Sequence, residues 1–186
     1  MPAPLSTKED VVAALLTVIR REGYDGASLS VLSEATGLGK SSLYHYFPDG
    51  KDDMVEAALE YVAARMEATV FAALRGDAAP RARIQSMARA LDAFYRGGRE
   101  PCLLAALGFG ESAGRFHPRV SQLFTEWIAA ITGVLRDAGV PAGKARARAE
   151  EALARIEGAL VLARSLDKPA IFARTLKALP DGLLAS

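Results

Sequence analysis

The sequence is poor in the residues that metal and nucleophilic chemistry need. Its 186 residues hold one cysteine, Cys102, and two histidines, His45 and His117. A single cysteine excludes an intramolecular disulfide and fits a reducing compartment. Cys102 stands in Pro101-Cys102-Leu103-Leu104 with no adjacent histidine or basic residue to hold a thiolate, which favours a buried or pocket-lining thiol over a nucleophile. No His/Cys/Asp/Glu cluster has metal-ligand spacing, and there is neither a phosphate loop nor a Ser/His/Asp arrangement. Neither a metal nor a cofactor is therefore expected, and an all-α enzyme lacks the convergent titratable groups it would need. No run reaches 18 apolar residues, so no membrane span is expected. Residues 1–9 lack a basic stretch leading into an apolar one, so no secretory signal is evident and a cytoplasmic location is expected. No segment alternates with period two, so strands are not expected.

A basic balance is missing too. The formal net charge is +1. Residues 1–60 carry five basic side chains (Lys8, Arg20, Arg21, Lys40, Lys51) against ten acidic ones, a balance of −5 that leaves +6 for the rest. Nucleic-acid-binding domains usually show a basic footprint, so any such reading has to rest on local geometry.

What the sequence does have is helix. Apolar residues make up 51% of it, enough for one or two compact domains with real cores. Ala, Leu, Glu and Arg dominate, and Gly or Pro clusters punctuate the periodic runs. A first helix is expected from a cap at Ser6 or Thr7, with Val12, Leu15, Leu16 and Ile19 as its apolar stripe and Gly23 as its left-handed stop. Ser28 caps a short helix over Leu29 to Thr36, Gly37-Leu38-Gly39 turns, and a third helix runs from Lys40 to Phe47. After Pro48-Asp49-Gly50 a long fourth helix extends from Lys51 to Arg75. Pro80 opens a fifth, ended by Gly97-Gly98. Pro101 opens a short helix to about Ser112, followed by a loop over Gly114 to His117. Pro118 starts a helix to Ala138, Pro141 one to about Leu166, and Asp167 to Pro169 the last, which ends before Pro180-Asp181-Gly182. The reading is all-α with about nine helices: a three-helix head over residues 1–50 and a helical remainder over 51–186.

The informative stretch is Ser28 to Phe47. Two helices of about eight residues joined by a glycine-containing turn form the layout of a helix-turn-helix. Leu29, Leu32 and Ala35 can face a core with the first helix, Ser33 is small where the helices cross, Gly37 supplies a positive φ, and Leu38 plugs the turn. Leu43 and Phe47, spaced i and i+4, draw the third helix inward. Lys40, Ser41, Ser42, Tyr44 and His45 are left facing out on the first turns, which in this motif enter the major groove. Ser28, Tyr44, Tyr46 and Lys51 can reach phosphates, and Lys40 is the one long cation near base edges. The plain alternative is a helical hairpin inside a core, with Tyr44, His45 and Tyr46 as packing residues.

The run Thr36-Gly37-Leu38-Gly39-Lys40-Ser41-Ser42-Leu43-Tyr44-His45-Tyr46-Phe47 resembles the signature of the TetR family of regulators. It is preceded at family spacing by Gly23-Tyr24 and Ala27-Ser28 and followed by Pro48-Asp49-Gly50-Lys51-Asp52-Asp53-Met54. Gly39 departs from the usual serine or threonine cap and Ser33 from the usual alanine. The inserted residue in Pro48-Asp49-Gly50-Lys51, Pro101-Cys102-Leu103-Leu104 and Glu157-Gly158-Ala159-Leu160 resemble the LmrA/YxaF-like branch. The resemblance implies a homodimer that binds a near-palindromic operator duplex as a repressor and is released by a small apolar effector.

It also implies an effector cavity among the middle helices, for which Met66, Met87, Phe94, Cys102, Phe109, Phe124 and Trp127 are candidates, and a dimer interface on the last two helices, for which Ile156, Ala159, Leu160, Ala163, Ile171 and Leu176 are candidates. Ordinary core packing is the alternative for each. The rival readings for the whole chain are an all-α enzyme and a helical interaction module that does not bind DNA.

Overall fold

A computed structural model describes residues 7–110 and 112–185. The described residues are all-helical: α1 (Lys8–Gly26), α2 (Leu29–Thr36), α3 (Lys40–Tyr46), α4 (Lys51–Met66), α5 (Ala72–Arg75), α6 (Pro80–Phe94), α7 (Leu103–Leu107), α8 (Ser112–Asp137), α9 (Ala142–Ser165) and α10 (Ala170–Leu184). A π turn over Glu67–Phe71 joins α4 to α5 without a break, so the expected single rod from Lys51 to Arg75 is present and the described helical rods number nine. The chain divides into two units, one of residues 1–64 and 103–120, the other of 65–102 and 121–186.

In the first unit the cap expected at Ser6 or Thr7 is made by Thr7; Ser6 lies outside the described residues. The Thr7 hydroxyl accepts from the Asp10 N–H at 3.1 Å and the Asp10 carboxylate accepts from the Thr7 N–H at 3.2 Å, a reciprocal capping box. Gly23, at φ 69°, interrupts α1 where the stop was expected. Val11, Val12, Leu15, Leu16, Val18 and Ile19 are buried, and α1 packs against both α2 and α7. Leu32, Leu43, Phe47, Met54, Leu59, Leu104 and Leu107 complete this core.

In the second unit α10 packs on α9 and on α6. Trp127, Ile131 and Val134 from α8 and Ile156 from α9 have no exposed surface. The end of α6 is tightly wound. The Tyr95 carbonyl accepts from the N–H groups of Gly98, Arg99 and Glu100 at 3.0, 3.0 and 3.1 Å, while Arg96, Gly97 and Gly98 all have positive φ. A Cβ on Gly98 would lie 2.7 Å from Cβ of Phe172.

Four expected boundaries move. α8 begins at Ser112, so the residues expected as a loop before Pro118 are helical and Pro118 lies within the helix. Proline there cannot donate to the carbonyl four residues back. The turn ahead of it is instead held by side chains: Phe116 is 1% exposed, and Arg115 pairs with Asp52. α10 likewise continues through Pro180 to Leu184. Leu179, Pro180 and Leu183 are all buried, and Arg148 donates to the Leu183 carbonyl at 3.3 Å, so packing offsets the missing backbone bond. The short helix after Pro101 also starts later and ends earlier than expected, at Leu103 and Leu107.

Gly98→Ala is expected to lower stability by about 2–3 kcal/mol, because the new methyl meets a side-chain root that cannot rotate away and the backbone sits at positive φ. Gly97→Ala, whose Cβ meets only the flexible end of Arg99 at 3.3 Å, should cost about 1 kcal/mol from φ alone. Denaturant midpoints of the two variants measure the difference; equal losses would contradict the close approach.

Candidate nucleic-acid interface and buried polar cluster

Helix α2 is capped by Ser28, whose hydroxyl accepts from the Val31 N–H at 3.4 Å, and closed by Gly37 at φ 67°. Leu32 has no exposed surface and Leu29 is half-buried, but Ala35 is exposed, contrary to expectation. The inward position is taken by Thr36, four residues after Leu32 on the same helix row. Thr36 is 3% exposed, and its hydroxyl donates to the Leu32 carbonyl at 2.8 Å. Ser33 does more than leave room: its hydroxyl donates to the Leu38 carbonyl at 2.6 Å and so closes the turn onto α2.

Helix α3 starts at Gly39 with no side-chain cap. Leu43 and Phe47 are buried at 0% and 2% exposure. Lys40, Ser41, Ser42, Tyr44, His45 and Tyr46 are all exposed, so the expected outward set and Tyr46 share the open surface of one short helix. The Tyr44 ring lies over Gly50, where a Cβ would come within 3.3 Å of it. No acidic residue occurs in α3.

Lys51 is used differently from the expected phosphate contact. Its ammonium donates to the Tyr24 carbonyl at 2.9 Å and sits 3.9 Å from the centre of the Tyr24 ring. Around that ring lies a network unseen in the sequence. The Tyr24 hydroxyl donates to Asp52 at 2.5 Å, Arg115 donates to the Tyr24 hydroxyl at 3.0 Å and to Asp52, and Phe116 meets the Tyr24 ring at 5.6 Å. Hydrogen bonds from Arg115 and then Tyr24 hold the Asp52 carboxyl below its ordinary range, while burial and then the Asp52 hydrogen bond raise the Tyr24 phenol. The network ties the start of α8 to the end of α1 and the start of α4.

In the second unit Met66, Met87, Phe94, Cys102 and Trp127 are buried and Phe124 is half-buried. Phe109 departs from the expected cavity lining: it is 77% exposed and belongs to the segment grouped with the first unit, just before Gly110 turns at φ 74°. Cys102 is part of a buried polar relay. The Tyr95 hydroxyl reaches the Cys102 sulfur at 3.5 Å, and the Cys102 thiol donates to the Glu157 carboxyl. Burial pushes that carboxyl up to about 7, against the smaller lowering effect of the thiol hydrogen bond. Oε1 of Glu157 and the indole N–H of Trp127 are both buried and, among the described residues, have no hydrogen-bond partner. Of the expected interface residues, Ile156, Ala159, Leu160, Ala163 and Leu176 are buried within the single chain and Ile171 is half-buried. That stripe is occupied in packing α9 and α10 inside the unit. Val161, Leu162 and Leu166 are left open, and Leu162 lines a groove of about 470 Å³ together with Gly158, Ala159, Ile171, Ala178, Arg155 and Arg174.

Residues 11–58 match the bacterial regulatory proteins of the tetR family, and residues 78–177 match the C-terminal domain of LmrA/YxaF-like transcriptional regulators. The chain belongs to the TetR family. This TetR-family chain is 20% identical over 179 residues to the HTH-type transcriptional regulator LmrA of Bacillus subtilis, covering 94% of its own length and 95% of that protein's. It is 36% identical over 103 residues to the HTH-type transcriptional repressor DrrR1 of Streptomyces coeruleorubidus, which covers 55% of this chain but only 36% of that protein. The fold is that of a TetR regulator from Legionella pneumophila (TM-score 0.81, 19% identity, covering 96% of this chain and 98% of that one). It is also that of CifR, solved with a 26 bp operator duplex (TM-score 0.78, 22% identity, covering 100% and 99%). The protein is a TetR-family DNA-binding transcriptional regulator.

Among the described residues no group of three or more His, Cys, Asp or Glu side chains could hold a metal ion, and no helix is long and apolar enough to cross a membrane. The Tyr24–Asp52–Arg115 cluster of this regulator joins residues 28 and 63 positions apart, so no spacing in the sequence announces it.

A double-mutant cycle of Asp52→Asn and Arg115→Ala should give a coupling below about 1 kcal/mol at pH 7, because both side chains remain substantially exposed. The folded-state Asp52 carboxyl is depressed below its ordinary 3.8, so this stabilisation is present above that value and is lost as pH falls from it through the lower folded value. Denaturation at pH 7 and pH 3 measures the trend; a coupling that grows toward acid would contradict the assignment.

Proposed function

We propose that this regulator is a repressor that acts in the cytoplasm as a homodimer, with residues 1–50 reading operator DNA and residues 51–186 binding a small apolar effector and forming the dimer. The observation that carries the proposal is the split on α3: Leu43 and Phe47 face the core while six neighbouring side chains, Lys40, Ser41, Ser42, Tyr44, His45 and Tyr46, face outward. Side chains on such a helix can meet base edges, and the pair in a dimer can enter successive major grooves of a near-palindromic site. Lys40 matches guanine in the groove, and Ser28 and the tyrosine hydroxyls match phosphates. The repressor DrrR1 supports the direction of regulation by its similarity over 103 residues. Release follows if the effector prefers the dimer form whose two α3 helices are wrongly spaced; near-complete switching takes about 5.5 kcal/mol of such preference.

The dimer is proposed to form through Val161, Leu162 and Leu166, with Gly158, Ala159 and Ile171 at the groove edge. These replace most of the residues expected from sequence, which are spent inside the chain. Three large apolar side chains, each more than half exposed on one helix and its cap, form the kind of patch that a partner covers.

Lys40→Ala with Tyr44→Ala is expected to weaken binding to a fragment of the protein's own promoter region at least tenfold at fixed salt, leaving fold and dimer intact. Unchanged affinity would remove α3 as the reading surface. Removing the Lys40 charge alone should also flatten the salt dependence by roughly one phosphate contact if it reaches the backbone, and should relax base preference if it reaches guanine. Leu162→Glu should convert the dimer to monomer in sedimentation at micromolar concentration without lowering helix content. A dimer that persists would place the interface elsewhere.

A further inference from the structure

The proposed effector site carries a chemical preference in one acid with a buried carboxyl oxygen. Glu157 lies on α9 next to the fully buried Ile156, and among the described residues no cation acts on it. One side of its carboxyl accepts from the Cys102 thiol, itself approached by the Tyr95 hydroxyl at 3.5 Å. Oε1 is buried and receives no hydrogen bond. A buried acceptor without a donor is costly and is normally satisfied. In apolar surroundings the group that completes a carboxyl most effectively is a positively charged donor, because Coulomb attraction is strong where water is excluded and the charge-assisted hydrogen bond is stronger than a neutral one.

We propose that Glu157 is a specificity residue of the effector site, and that it selects an amphiphile with a protonated amine on an apolar body. The inference rests on the effector reading above. The amine donates to Oε1, and the Tyr95–Cys102 relay holds the carboxyl from its other side. The apolar body lies among the buried side chains of this unit, where Met66 and Met87 are unbranched and can repack around a guest. Anionic molecules are rejected by like charge once the carboxyl ionises. Neutral alcohols can donate to the same oxygen but gain no charge attraction.

The carboxyl also sets a pH signature. Its folded value of about 7 stands above the ordinary 4.5, so the folded chain holds a proton that the unfolded chain has lost. Stability contributed by this group is therefore greatest in acid and declines as pH rises from about 4.5 through 7. A bound amine reverses that sense, since it favours the ionised carboxylate.

The test uses the full-length protein with three matched probes: 1-naphthylmethylamine, 1-naphthylmethanol and 1-naphthoate. Melting temperature and release of promoter DNA are read at pH 8 and pH 6, for the wild type and for Glu157→Gln. The amine is expected to bind at least tenfold tighter than the alcohol at pH 8, to weaken toward pH 6, and to lose at least tenfold in affinity in Glu157→Gln. The alcohol should change less than threefold on either count, and the carboxylate should not bind the wild type at pH 8. Alcohol or carboxylate binding as tight as the amine would overturn the proposed ligand class while leaving an effector site in place. Amine binding by Glu157→Gln at wild-type strength would overturn the role of this residue. Should that variant fail to fold, the pH dependence of amine binding in the wild type decides: no weakening toward pH 6 overturns the proposal. If none of the three probes shifts melting or DNA release, the effector reading falls together with it.

Discussion

The complete burial of Leu43 is the constraint on which the exposed face of α3 depends. A seven-residue helix cannot hold its own shape in water, since isolated helices that short do not form. α3 exists because Leu43 and Phe47 are drawn into the core beside Leu32. Once those two positions point inward, the geometry of the helix sends Lys40, Ser41, Ser42, Tyr44, His45 and Tyr46 outward. Thr36, Gly37 and the Ser33–Leu38 hydrogen bond then fix the angle at which α3 leaves α2.

Much of this was legible in the sequence because it is local. Glycine stops at Gly23, Gly37 and Gly139, caps at Thr7 and Ser28, and the i/i+4 pair Leu43–Phe47 act within a few residues, and each is found where expected. Errors cluster where long-range packing overrides a local rule. Pro118 and Pro180 read as boundaries yet lie inside helices, because Phe116, Leu179 and Leu183 are buried and keep the backbone helical around them. A three-residue step from Leu32 predicts Ala35 inward, whereas the helix uses the four-residue step to Thr36.

Side-chain roles were harder to read than elements. Lys51 looked like a phosphate ligand, but it is engaged by the Tyr24 carbonyl and ring. The apolar stripe on α9, expected at a dimer interface, packs within the chain, and a stripe does not say whether its partner is the same chain or another copy. Phe109 has the composition of a cavity residue and the exposure of a surface one. In the sequence Glu157 stands out only as part of a family pattern; its half-satisfied carboxyl depends on Tyr95 and Cys102, more than fifty residues away in sequence.

The acidic balance of residues 1–60 acquires a sense once α3 is in place. All ten acids of that segment lie outside α3. A polyanion that meets the head on its other elements therefore encounters charge of its own sign, whereas one that meets α3 encounters Lys40 and hydroxyl groups. If α3 reads DNA as proposed, such a head holds arbitrary duplex only weakly and releases it quickly between encounters, so time is concentrated on sequences that the exposed side chains of α3 can match.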